Sequence, residues 1–194
     1  MVGRETLTLG CFASPFAPSR LCGEKYNAPD HRPPNDPPPM NRPNRDDPIP
    51  RAPFWLGTAG LVPFVVLTSS LYALPEGNTP VMLFWLTAYA AVNLSFVGAI
   101  HWGVSMVHER MRDADRAIFM AWSVVPAAAG WVALLLPAKT GLFLLVTSFV
   151  VHYAADRQFA QRFALPPWYL RLRGGLTAVV VLCLVLAVAR VARP

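Results

Sequence analysis

Two histidines of the sequence stand inside strongly apolar segments, where an ionisable side chain is unusual. His101 lies in the stretch LSFVGAIHWG, and His152 lies in SFVVHYAADR, four residues before Asp156. Residues four apart share one face of a helix, so His152 and Asp156 are placed to interact. Such a set is able to ligate haem or a metal ion, or to relay a proton. The plainer role of the same side chains is hydrogen bonding between membrane helices.

We expect the plainer role, because two histidines without further ligands are a weak signature of ligation. The prediction is therefore no metal site, no cofactor and no catalytic residue. His101 and the deeper Asn93 are predicted to hydrogen-bond to neighbouring helices. Asp156 is predicted to pair with the adjacent Arg157 at the end of its segment. The sequence contains no phosphate-binding glycine loop, nucleophile elbow or zinc-protease motif, so we do not expect an enzyme.

The composition indicates a membrane protein. Of the 194 residues, 54% are hydrophobic and 14% are charged, whereas soluble domains carry about 25% charged residues. The net charge is +6. Basic residues of a membrane protein report its orientation and its contacts with lipid, so we expect the bilayer and no nucleic acid as a partner. The three cysteines are too scattered for a disulfide framework.

Five apolar segments are long enough to span a membrane. At about 1.5 Å per residue, about 20 helical residues cross a hydrocarbon core of about 30 Å. The fourth segment is short and is expected to continue as a helix beyond the membrane. The predicted fold class is an all-α integral membrane protein, a five-span transmembrane helical bundle. The membrane domain is predicted at residues 53–190, with spans at about 53–74, 81–107, 117–136, 141–155 and 168–189.

Residues 1–50 are predicted to be a disordered, proline-rich tail. They contain more than half of the 20 prolines together with charges of both signs. Such a segment buries too little apolar surface to offset the entropy lost on ordering. Met40 offers a shorter start, in which case residues 1–39 are an artefact of the assumed gene start.

The distribution of basic residues predicts the orientation. Most arginines that flank the spans fall on one side, and Lys139, Arg190 and Arg193 fall on the other. The richer side is expected to be cytoplasmic, or the matrix side in a mitochondrion. The N-terminus is then cytoplasmic and, with five spans, the C-terminus is periplasmic.

Small and polar residues of the second span fall on two adjacent stripes. Ala91, Ser95, Ala99 and Gly103 recur every four residues, a pattern that permits close approach of another helix. Both stripes are expected to face protein, with Trp102 as a bulky neighbour or as part of an aromatic belt. We therefore interpret the protein as a membrane interaction or assembly component, with a membrane-protein partner or a second copy. The second stripe comprises Thr87, Ala91, Leu94, Gly98, His101, Ser105 and His108.

Two other functions stay open. One is transport of a proton or a small solute, with the proline breaks at Pro63 and Pro126 as hinges. The other is a haem-binding redox protein, ligated by the two histidines. The polar groups available to a transporter are His101, Asn93, Ser105, His152 and Asp156.

The segment LPPWYLRLRGGLT is predicted to anchor the fifth span at the membrane surface. Trp168 and Tyr169 are expected at the level of the lipid headgroups. Arg171 and Arg173 are expected to extend to lipid phosphates.

Three motifs resemble the domain-of-unknown-function family 3429. They are WLGTAGLVPF, YAAVNLSFVGAIHWG, and Asp156 followed by LPPWYLRLRGGLT, and the resemblance covers about residues 53–190. It implies a bacterial inner-membrane protein and implies no activity. Asn93 and Ala99 stand where members often carry an aliphatic residue and glycine, so these two positions are less informative.

Overall fold

The structure is a computed structural model that describes residues 48–109, 111–163 and 165–192. All regular structure in these ranges is helical, and five segments are long and apolar enough to cross a membrane. The predicted all-α, five-span fold is confirmed. The predicted tail and its start lie almost entirely outside the described residues. The helices are α1 (Arg51–Ala59), α2 (Val62–Ala73), α3 (Thr79–Val107), α4 (Asp113–Leu135), α5 (Ala138–Phe163) and α6 (Pro167–Val191), with a 3₁₀ turn at Glu76–Asn78 before α3.

From α2 onward successive helices pack as neighbours, α1 contacts α6, and the contacts of α3 with α5 and of α2 with α6 close the bundle. The short connections make each span reverse the direction of the one before it. At one end of the bundle α1, α4 and α6 begin, and α3 and α5 end. We call it the basic end, because Arg51, Arg116, Arg157 and Arg171 lie near it. The opposite end, where α2 is joined to α3 and α4 to α5, is the hairpin end.

The first span is broken between α1 and α2. Pro63 lies in the first turn of α2, where its missing N–H leaves no intrahelical hydrogen bond unmade. The hydroxyl of Tyr89 on α3 donates to the carbonyl oxygen of Gly60 over 2.9 Å. A carbonyl released from a helix at membrane depth needs such a partner, since lipid offers none. The break is thus fastened to α3.

Helices α3 and α4 approach closely at two glycines. A Cβ atom on Gly98 would lie 2.8 Å from the carbonyl oxygen of Ser123 and 3.1 Å from the ring of Pro126. A Cβ atom on Gly130 would lie 3.0 Å from the carbonyl oxygen of Ala91. Helix α4 continues through Pro126 without interruption. The small residues of this interface bring the two backbones together, as in other membrane helix pairs.

Between its middle and the hairpin end, the interior of the bundle is filled by apolar side chains that are 0–1% exposed. They come from α3, α5 and α6 and are followed, toward the basic end, by polar residues on the same helices. Side chains packed this tightly leave no space for water between them. We call this set the apolar layer; it comprises Leu86, Leu94, Leu142, Leu145, Phe149 and Leu184.

Candidate functional site

Two histidines and a carboxylate meet inside the bundle near the basic end. Nε2 of His101 on α3 lies 3.3 Å from Oδ1 of Asp156 on α5. Nε2 of His152, also on α5, lies 3.8 Å from the same oxygen. The donor atoms of the three residues all lie within 4.8 Å of one another. Together with Arg173 of α6, described next, these residues form what we call the polar cluster.

Arg173 is a buried member of this cluster, which corrects its predicted role as a lipid anchor. Its Nε donates to Oδ2 of Asp156 over 3.0 Å, and its Nη1 donates to the hydroxyl of Thr177 over 3.1 Å. The Arg173 residue is only 6% exposed. A buried guanidinium requires an anionic partner, and Asp156 supplies it. The predicted pair between Asp156 and Arg157 is therefore wrong, and Arg157 is exposed.

The cluster forms because each helix delivers its residue at a similar depth. Asp156 follows His152 by one turn of α5, about 10 Å before the end of that helix. Arg173 lies about 9 Å from the start of α6 at Pro167. His101 follows Gly98 on the buried face of α3, the face whose small residues admit α4.

Aromatic rings cover the cluster toward the basic end. The rings of His101 and Phe159 have centroids 4.7 Å apart, and those of Phe119 and Phe159 are 4.0 Å apart. Phe163 packs edge-on against Phe119 at 4.7 Å and against His108 at 5.4 Å. An apolar cover lowers the local dielectric, which strengthens every electrostatic interaction beneath it.

Several buried polar atoms of the cluster lack a hydrogen-bond partner among the described residues. They include both ring nitrogens of His152 and Nη2 of Arg173. The backbone of Val97 is near the His152 ring but outside hydrogen-bond geometry. Nε1 of Trp122 also lacks a hydrogen-bond partner among the described residues. The Trp122 ring lies parallel to the His152 ring, with the two centroids 6.4 Å apart. Buried polar groups are normally bonded, so these atoms mark a place where a bound species or water gains partners.

A small cavity between α4 and α5 reaches this region. Its volume is about 120 Å³, and its lining includes His152, Trp122, Thr147 and Ser148. Pockets for small organic ligands generally measure about 300 Å³ or more. The cavity therefore has room for water or an ion beside His152.

A larger cavity of about 570 Å³ opens at the hairpin end. Its lining is mostly apolar, with the ion pair of Arg190 and Glu76 at one side, where Nη2 and Oε1 are 3.2 Å apart. Nε of Arg190 also donates to the carbonyl oxygen of Leu71 over 3.2 Å. This cavity lies at the other end of the bundle from the polar cluster.

Two polar residues of α3 bond within their own helix. The amide of Asn93 donates to the carbonyl oxygen of Tyr89 over 3.0 Å, so the predicted bond to a neighbouring helix is replaced by a local one. The hydroxyl of Ser95 donates to the carbonyl oxygen of Ala91 over 2.9 Å. Neither residue reaches the polar cluster through these bonds.

The two predicted stripes of α3 behave differently. In the second stripe every residue from Thr87 to Ser105 is buried, and His108 is half-buried. In the first stripe Ala91 is buried and Ser95 is half-buried, but Ala99 and Gly103 are exposed. Trp102 is exposed beside them. The expectation that both stripes pack against protein is thus met within the chain only by the second.

The predicted anchor residues at the start of α6 are divided by the structure. Trp168 and Tyr169 are half-buried, with ring centroids 6.4 Å apart, and Arg171 is exposed. Arg173 belongs to the polar cluster instead. Its spacing of four residues from Thr177 and its greater depth in the helix were the signals that distinguished it from Arg171.

Fold and site define a class, a five-span helical membrane protein with a buried histidine–aspartate–arginine cluster near one end. The chain belongs to the family described as a protein of unknown function, DUF3429, whose model matches residues 49–189. The predicted family is thereby confirmed. The chain is 31% identical over 140 residues to Transmembrane protein 69 of Xenopus tropicalis. The match covers 70% of this chain and 53% of that protein, so the chain spans about half of the relative's length. No solved structure matches the chain.

Proposed function

We propose that the protein is a membrane-embedded assembly component that pairs with a second copy of itself through α3. The observation that carries this proposal is the open surface at Ala99 and Gly103. A Cβ atom on Gly103 would meet nothing within 4 Å. By contrast, one on Gly98 would press against α4, and one on Gly174 would lie 2.7 Å from the hydroxyl of Tyr153.

The exposed residues around Gly103 form a continuous face of α3. They recur at alternating steps of three and four residues, the spacing of one helix face. Bulky side chains stand at both ends, with Phe96 70% and Met106 62% exposed, and small residues stand between them. This face, which we call the open stripe, comprises Val92, Phe96, Ala99, Gly103 and Met106.

A second copy fits the open stripe because small-residue ridges are self-complementary. Two identical helices crossing at Ala99 and Gly103 approach closely, and dispersion contacts between them replace contacts with lipid. A two-fold axis through the crossing makes the interface isologous, which closes the assembly at a dimer. Phe96 and Met106 would then pack on either side of the crossing.

The proposal includes a location, the bacterial inner membrane with the basic end in the cytoplasm. Arg116, Arg157 and Arg171 near that end outnumber Lys139 and Arg190 at the hairpin end. Basic residues are retained preferentially on the cytoplasmic side.

Packing favours assembly over transport or haem binding. A transport route from the polar cluster to the hairpin end would have to pass the apolar layer, whose members are 0–1% exposed. A haem placed between His101 and His152 would need a pocket several times larger than the 120 Å³ beside His152.

Disulfide crosslinking in isolated membranes tests the pairing. The native cysteines are first replaced with alanine, and Ala99→Cys and Gly103→Cys are then oxidised separately. We expect each variant to form a covalent dimer, because the two-fold axis brings each residue near its own copy. Gly175→Cys is the matched control, since Gly175 is an exposed helical glycine with nothing within 4 Å of its Cβ position. Absence of dimers at positions 99 and 103, or equal crosslinking at 175, would overturn the proposal.

A further inference from the structure

We infer that His101, His152 and Asp156 form a binding site for one divalent transition-metal ion of the zinc class. Two imidazole nitrogens and a carboxylate oxygen are a donor set that Zn²⁺ accepts, with a fourth position left to water or an anion. The inference does not depend on the pairing of two chains, because all three ligands belong to one copy.

The spacing of the donor atoms suits a tetrahedral ion. Zinc bonds of about 2.0–2.1 Å place neighbouring ligand atoms about 3.3 Å apart. Oδ1 of Asp156 lies 3.3 Å from Nε2 of His101 and 3.8 Å from Nε2 of His152. Since no two of the three donors are more than 4.8 Å apart, small rotations of the side chains bring all three onto an ion.

His152 provides a second, independent observation. The residue is 1% exposed, and neither of its ring nitrogens has a hydrogen-bond partner among the described residues. Leaving a buried polar group unpaired costs free energy, which ligation of a metal by Nε2 would recover. Buried water is the competing occupant of the same space, and the experiment below separates the two.

Arg173 holds Asp156 in the orientation that ligation requires. It occupies Oδ2 over 3.0 Å and leaves Oδ1 directed at the histidines. Outer partners of this kind fix the ligands of metal sites. Because Arg173 already neutralises Asp156, a bound cation adds uncompensated charge, and an anionic fourth ligand such as hydroxide or chloride would reduce it. Nη2 of Arg173, which lacks an acceptor among the described residues, is available to such an anion.

The surroundings of the site are those of a shielded metal centre. Phe159 and Phe119 cover His101 toward the basic end, with Phe163 packed against Phe119. An apolar shell limits access of water and strengthens the bonds between an ion and its ligands. Metal entry would have to occur from the basic end, past these rings.

Metal titration of the full chain tests the site. The protein is purified in mild detergent, stripped with a chelator and titrated separately with Zn²⁺ and Co²⁺. We expect one ion per chain by elemental mass spectrometry, a visible spectrum typical of tetrahedral Co²⁺, and a rise in Tm with Zn²⁺. His152→Gln should weaken binding by about tenfold or more, since it removes one of three ligands.

Two further variants separate ligation from folding. His108→Gln is the matched control, because His108 is a histidine near the same aromatic cover but outside the ligand set. It directly follows α3, and its ring contacts that of Phe163. The variant should bind the ion like the wild type. His101→Cys keeps a ligand and should retain Zn²⁺ while adding the charge-transfer absorption of a Co²⁺ thiolate. If the wild type bound neither Zn²⁺ nor Co²⁺ more tightly than His152→Gln does, the inference would be overturned. That result is expected if water alone occupies the site. Equal weakening by His108→Gln would also overturn it.

Discussion

Arg173 donates from Nε to Oδ2 of Asp156 over 3.0 Å, and this bond joins α6 to α5 beneath the aromatic cover of the bundle. Asp156 is 1% and Arg173 is 6% exposed. A buried pair stabilises a fold less than its Coulomb attraction suggests, because both ions have lost their hydration. The pair acts instead as a constraint, since each ion becomes costly when the other is absent.

We predict that Asp156→Asn and Arg173→Gln each destabilise the protein by about 3–5 kcal/mol, because each leaves one buried charge unpaired. The double variant should lose much less than the sum of the two single losses, since it leaves neither charge behind. Thermal unfolding in detergent, analysed as a double-mutant cycle, measures the coupling.

Arg157→Gln is the control for this cycle, because Arg157 is exposed and adjacent to Asp156 in sequence. It should change stability little. Strict additivity of the two buried substitutions would show that the pair is not coupled and would contradict the prediction.

We predict that Gly98→Ala destabilises the protein by about 1–3 kcal/mol through overpacking. The new methyl group would lie 2.8 Å from the backbone oxygen of Ser123, which cannot move without moving α4. Gly175→Ala is the paired control, since Gly175 is an exposed helical glycine outside the open stripe and its methyl group meets nothing within 4 Å. That control should leave stability unchanged or raise it by up to about 1 kcal/mol through helix propensity. Comparison of the two Tm values checks the prediction, and equal values would refute it.

We predict that Tyr89→Phe lowers stability by about 1 kcal/mol. The substitution removes the hydroxyl that donates to the carbonyl oxygen of Gly60 but keeps the ring that packs edge-on against Phe64 at 5.0 Å. Tyr89→Leu, which removes both, should cost more. Unfolding measurements on the two variants separate the hydrogen bond from the ring contact. If Tyr89→Phe were as stable as the wild type, the hydrogen bond to Gly60 would not stabilise the break between α1 and α2.

We predict that the hairpin end is accessible from outside the cytoplasmic membrane. In a cysteine-free background, Gly77→Cys should react with a membrane-impermeant maleimide in cells whose outer membrane is permeabilised, because Gly77 lies exposed before α3. Glu109→Cys, exposed at the basic end, should react only after the inner membrane is opened. The reverse pattern would invert the proposed orientation.

The helices could be predicted from the sequence because the membrane restricts the possible structures severely. A long apolar segment in lipid must satisfy its own backbone, which selects a helix. The shared face of α3 that holds Gly98 and His101 could also be predicted, since spacing decides which residues of a helix lie on one face. The fate of Pro63 could be predicted less well, because whether a proline bends a helix or starts a new one depends on a partner such as Tyr89 on another helix.

The polar cluster was beyond prediction in one essential respect. Spacing on α5 put His152 beside Asp156, and the four-residue spacing of Arg173 from Thr177 sets it apart from Arg171, but nothing in the sequence of α6 identifies Asp156 on another helix as its partner. That Ala99 and Gly103 stay exposed within the chain could not be predicted for a related reason. Periodicity identifies which residues share a face, but only the packing of whole helices decides which face meets another helix.

The pair between Asp156 and Arg173 also constrains how the chain is made. Helix α5 has the lowest mean hydropathy of the five candidate spans, and it carries Asp156, the acidic member of the pair. Helix α6 has the highest mean hydropathy and carries Arg173. A translocating machinery that released α5 into lipid first would leave Asp156 without its counter-ion. We therefore expect α5 and α6 to enter the lipid together as one hairpin, with the ion pair already formed.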